Sequence, residues 1–169
     1  MVMEQGDDAL LIRVLLVCMG NICRSPLAHG VVRQRLRDSG MASRIHLDSA
    51  GTHGYHAGSA PDDRAQAAAR RRGIDISDLR ARSVEPSDFE SFDLILAMDD
   101  ENMEALREDA SDAQHRKIYL FMEYTVGDTG RSVPDPYYGG SIGFERVLDM
   151  VEEAAEGLLI RLQAELAGR

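Results

Sequence analysis

Cys18 and Arg24, separated by the five residues Met19-Gly20-Asn21-Ile22-Cys23 and followed by Ser25-Pro26, are residue types that can attack and hold a phosphoryl group. A cysteine thiolate is a strong nucleophile, and a guanidinium can bind two oxygens of a tetrahedral anion at once. Gly20 and Asn21 readily take positive φ, so the loop can curl until its backbone N–H groups point at one spot. Ser25 suits a helix N-cap and Pro26 the first helical position, which would aim the positive end of a helix at the same spot. The same field stabilises a thiolate at Cys18.

The elements needed to position this loop are legible around it. The apolar run before Cys18 predicts a buried strand over about Leu11 to Val17, and a helix from Pro26 to about Asp38 follows, stopping near Gly40. Further strands are expected at about Arg44 to Asp48, Leu94 to Met98 and Lys117 to Phe121. Helices are expected at about Pro61 to Arg72, Glu101 to Asp109 and Ile142 to Ala167. The last one places Phe144, Val147, Leu148, Val151, Leu158, Leu162 and Leu166 near one face. Alternation of strand and helix implies an α/β fold with a parallel sheet and helices on both faces. Ligands of such sheets bind beyond strand C-termini, where Cys18 would sit.

The run Val17-Cys18-Met19-Gly20-Asn21-Ile22-Cys23-Arg24-Ser25-Pro26 resembles the active-site loop of the low-molecular-weight protein tyrosine phosphatases. That resemblance implies a three-layer flavodoxin-like fold with a central four-stranded parallel sheet. It also implies hydrolysis of phosphotyrosine through a phosphocysteine intermediate, with no cofactor and no metal. Met19 to Ser25 would bind the phosphate. Asp135, in Pro134-Asp135-Pro136-Tyr137-Tyr138, resembles the family's general acid; flanking prolines would stiffen its loop near the leaving oxygen. Tyr55, Tyr137 and Tyr138 match aromatic walls of the substrate cleft, a slot that a phenyl phosphate fills better than a phosphoserine.

Other matches carry two readings. His56 touches substrate or is a solvated loop histidine. Asn21 and Ser49 match residues that shape the loop by hydrogen bonds, and Ser25 one that donates to the thiolate. Asp99 and Asn102 match positions near the site, although Asp99 also reads as a helix cap. Cys23 is either a partner for a reversible disulfide with Cys18 or a small packing residue. One departure stands out: Leu79 occupies the place of a histidine that supports the phosphate loop in many members, which predicts a looser network around Asn21 and Ser25.

Composition narrows the alternatives. The chain has 169 residues, with 19 basic against 29 acidic side chains and a net charge of −10, which opposes binding to nucleic acid or anionic membranes. The expected organisation is an N-terminal extension over residues 1–9 and a single phosphatase domain over 10–169. The acidic start lacks the pattern of a signal peptide, and a cytoplasmic location is expected. Its two cysteines make no disulfide framework. They are also too few for an arsenate reductase, which needs further cysteines to relay a disulfide outward. A protein arginine phosphatase would commonly carry threonine at Ile22. A non-catalytic phosphopeptide-binding or redox-sensing module would need neither Cys18 nor Asp135. The expected partner is a phosphotyrosine-containing protein or peptide, with inorganic phosphate as product and a monomer or weak homodimer as the assembly.

Overall fold

The computed structural model describes residues 11–125, 132–137 and 141–168. Among these, four strands form one parallel sheet: β1 (Ile12–Cys18), β2 (Ile45–Gly51), β3 (Leu94–Ala97) and β4 (Ile118–Leu120). Their spatial order is β2-β1-β3-β4. The chain leaves β1 for β2 on one side and later returns to add β3 on the other, so the strand order reverses at the C-terminal end of β1. Cys18 is the last residue of that strand.

Helices α1 (Arg24–Asp38), α2 (Asp63–Arg71) and α5 (Ser141–Ala167) cover one face; α3 (Asp88–Ser91) and α4 (Asp100–Asp109) cover the other. The continuous apolar run of β1 follows from this double cover. Val14, Leu16 and Cys18 join the larger core under α1 and α5, while Leu15 and Val17 join the smaller one under α3 and α4. All seven apolar residues expected on one face of α5 are buried in the larger core. Each such Leu, Val or Phe contributes about 1.5–3 kcal/mol of burial. The proposed N-terminal extension lies outside the described residues. No helix among the described residues is long and apolar enough to cross a membrane.

Two predicted boundaries moved for reasons that matter to the site. β2 runs on to Gly51, so Ser49 lies on a strand, in register with Leu16, while Gly51 pairs with Cys18. A Cβ on Gly51 would lie 2.7 Å from the Met19 carbonyl oxygen, so only glycine lets the loop after β1 rest on the end of β2. Helix α1 begins at Arg24, earlier than a Ser25 cap predicts, and Cys23 takes the capping position.

Candidate active site

The loop from Cys18 to Ser25 is closed by its own hydrogen bonds. Asn21 supplies the left-handed residue, with φ at 57°; Gly20 does not, contrary to the expectation from its type. What Gly20 provides is space, because a Cβ there would meet the His56 ring at 3.1 Å. The Asn21 side chain spans the turn. Its Oδ1 accepts the Arg82 backbone N–H at 3.0 Å, which fixes the amide orientation, and its Nδ2 donates to Ser25 Oγ at 2.7 Å.

The Ser25 hydroxyl meets Cys18 Sγ at 3.0 Å and is the donor of that pair whenever the sulfur is a thiolate, and the Asn21 backbone N–H donates to the same sulfur at 3.3 Å. Ser25 is therefore occupied with the sulfur and Asn21, and no side-chain cap bond forms at α1. Two hydrogen bonds thus converge on the Cys18 sulfur.

Arg24 is buried in the first turn of α1. Its Nη1 donates to Asp99 Oδ2 at 2.6 Å and to the Val133 carbonyl at 3.1 Å, and its Nη2 lies 3.7 Å from Asp135 Oδ2. Burial alone would lower its pKa, but the Cys18 sulfur, Asp99 and Asp135 outweigh that and hold it above the usual value. Asp99 serves both readings offered by the sequence. While Oδ2 orients Arg24, Oδ1 accepts the Asn102 N–H at 2.7 Å and caps α4. Asn102 Oδ1 is buried without a hydrogen-bond partner among the described residues.

Cys18, Met19, Gly20, Ile22, Cys23, Arg24, Tyr55, His56, Asp135 and Tyr137 line a single cleft of about 320 Å³. Asp135 and Tyr137 thus face Cys18, although the sequence places them far apart. The His56 and Tyr137 rings meet tilted at 6.5 Å, while Tyr55 is 80% exposed and stacks on His53 at 5.3 Å, forming a rim more than a wall. Tyr138 lies outside the described residues. Burial pushes the Cys23 thiol up, with Asp62, Cys18 and Asp135 adding to the effect. It is a poor candidate for a second thiolate.

Leu79, at the place of the family's supporting histidine, makes no contact of that kind with the loop among the bonds described. It packs partly buried against the larger core, and Arg82 meets Asn21 through its backbone. Ser49 bonds His29 Nδ1 at 2.9 Å. His29 sits one turn after Ser25 on α1, and burial, with Arg33 adding to it, pushes its pKa down to about 4. The sequence reading assigned His29 no role, yet its spacing from Ser25 placed it on the same helix face.

Also missed were the Val133 carbonyl on Arg24 and the Asp62–Arg64 pair at the start of α2. Among the described residues no three His, Cys, Asp or Glu groups cluster to hold a metal ion.

A cysteine beside a buried arginine at a strand end of a flavodoxin-like sheet defines a class of site, and the family follows. The model of the low molecular weight phosphotyrosine protein phosphatase family matches residues 13–167, and the chain belongs to that family. It is 42% identical over 160 residues to a low molecular weight protein-tyrosine-phosphatase of Streptomyces coelicolor, covering 93% of this chain and 97% of that one. It is 40% identical over 136 residues to the human low molecular weight phosphotyrosine protein phosphatase, covering 79% and 85%. A crystal structure of a protein tyrosine phosphatase from Entamoeba histolytica superposes with a TM-score of 0.87 at 38% identity, covering 90% and 97%.

Proposed function

We propose that this protein hydrolyses phosphotyrosine in proteins or peptides through a phosphocysteine intermediate. The convergence of Cys18, Arg24 and Asp135 on one cleft carries this reading. In the first step the Cys18 thiolate attacks phosphorus. The P–O bond to tyrosine breaks, and the Asp135 carboxylic acid gives its proton to the departing phenolate oxygen.

In the second step the Asp135 carboxylate takes a proton from water as that water attacks phosphorus. The P–S bond breaks, restoring the thiolate and releasing inorganic phosphate. Arg24, held by Asp99 and Val133, neutralises charge on the transferring phosphoryl oxygens together with the loop amides. Ser25 and Asn21 stabilise the thiolate before attack and as it leaves. Met19, Tyr55, His56 and Tyr137 form the slot that takes the phenyl ring.

The test is hydrolysis of matched phosphotyrosine, phosphoserine and phosphoarginine peptides in chelator and reductant, with Cys18→Ser as control. Turnover confined to phosphotyrosine and abolished by the substitution is the expected result. Preference for phosphoarginine would move the chain to a different substrate class. Phosphate binding without turnover of any peptide would leave a binding or redox module.

A further inference from the structure

Asp135 acts across the cleft from a segment that is far from Cys18 in sequence, so something must fix its height over the sulfur. One end of that segment is tied to the sheet: Val133 donates to the Met98 carbonyl at 2.7 Å, and its own carbonyl accepts from Arg24. The other end is held by Arg64. We propose that Arg64 is a positioning residue that clamps the Asp135 segment to the phosphate loop, an inference that rests on the two-step reaction above.

The clamp is a chain of hydrogen bonds that starts and ends in the cleft. The Ile22 carbonyl accepts the Asp62 N–H at 2.9 Å. Asp62 then caps α2 by accepting the Arg64 N–H at 2.8 Å, and its carboxylate takes Arg64 Nε and Nη2, each at 3.0 Å. That grip aims the guanidinium outward, where Nη2 also donates to the Tyr137 carbonyl at 2.9 Å. Tyr137 completes the chain by donating its N–H to Asp135 Oδ1 at 3.0 Å.

The guanidinium carbon lies 5.4 Å from the centre of the Tyr137 ring and 5.0 Å from that of Phe144, so it packs against both the acid segment and α5. A carboxylate fork, a carbonyl bond and two ring contacts from one planar group are what arginine offers and lysine does not. As a surface ion pair the Asp62–Arg64 contact would be worth little. Its significance lies in what the fixed guanidinium reaches. Arg64 does not line the cleft, so its effect on the reaction runs through Asp135.

An acid set at the wrong height matters only where the leaving oxygen needs its proton. Phenolate is a poor leaving group and p-nitrophenolate a good one, so loss of the clamp must slow the first ester selectively. The experiment compares kcat/KM, which reports the first chemical step, for phenyl phosphate and p-nitrophenyl phosphate. It uses the wild type, Arg64→Gln and Arg64→Lys, each with and without Asp135→Asn, with inorganic phosphate as competitive inhibitor.

The expected result is a loss of roughly ten- to a hundredfold on phenyl phosphate. The loss on p-nitrophenyl phosphate should be much smaller, the phosphate inhibition constant unchanged, and lysine no better than glutamine. In the Asp135→Asn background the Arg64 substitutions should cost nothing further.

Equal losses on both esters, parallel weakening of phosphate, or full additivity with Asp135→Asn would overturn the clamp while leaving the reaction intact. If Asp135→Asn itself slowed both esters equally, the acid assignment would fall and the clamp with it. The unchanged phosphate constant separates a displaced acid from an unfolded chain.

Discussion

The two sides of the cleft are built by opposite means. On the Cys18 side, Cys18, Asn21 and Ser25 hold one another through side-chain bonds within the loop, and the backbone N–H groups of Thr52, His53, Asp62 and Arg82 brace it from outside. On the acid side, Asp135 meets Arg24 at 3.7 Å, and its segment is held from outside, through Val133 by Met98 and Arg24 and through Tyr137 by Arg64. A preorganised anion cradle must be rigid before charge develops, and short-range bonds give that rigidity at least entropic cost. In the proposed reaction Asp135 serves first a leaving phenolate and then an attacking water, and support from several elements suits that task.

Substitutions can break this contrast at either side. The largest effect is expected from Cys18→Ser, with kcat on a phosphotyrosine peptide falling by about four orders of magnitude or more while inorganic phosphate still binds. Arg24→Lys removes the fork that Asp99 orients, and should lower kcat roughly 10²–10³-fold. A change confined to KM would refute its proposed role on the transition state.

Asp135→Asn should cost about 10²-fold on phosphotyrosine. Because Arg24 keeps its bonds to Asp99 and Val133, phosphate affinity should hold; a matching loss of phosphate binding would show that the 3.7 Å contact between Asp135 and Arg24 ties the two sides together. Ser25→Ala, which takes away one of the two donors on sulfur, should lower kcat/KM roughly tenfold. An unaffected rate would mean that the Asn21 amide alone suffices.

The smallest effect concerns stability. His29 has a folded pKa of about 4 against 6.5 when unfolded, so the unfolded chain binds the extra proton first as the pH falls. Stability from this group is complete above about pH 6.5 and declines as pH drops towards 4, by at most about 3 kcal/mol. Urea midpoints at pH 7 and pH 4.5 should therefore differ more in the wild type than in His29→Gln. Equal differences would sink the assignment.

The same contrast explains what could be read from the sequence alone. The cradle was legible because its residues are contiguous and each type has a backbone reason to be there. The parallel sheet was legible because β1 is apolar without interruption and α5 shows a clear stripe. Strand order was not, since periodicity does not say which strands are neighbours.

The cap expected of Ser25 from serine before proline does not form, whereas its contact with Cys18, implied only by the family resemblance, is made once the loop has curled. Gly20 and Asn21 both permit positive φ, and only packing against His56 shows why Gly20 is needed for space. The Arg64 bridge joins groups distant in the chain and leaves no pattern in either segment alone.

Asp99 has one further consequence. One of its oxygens begins a helix and the other holds the arginine of the site, so the folding of α4 and the alignment of Arg24 share one carboxylate. Amide exchange at Asn102 is then a remote gauge of the catalytic centre. Whatever tightens or releases the guanidinium should slow or hasten proton exchange in a helix turn that no substrate needs to touch.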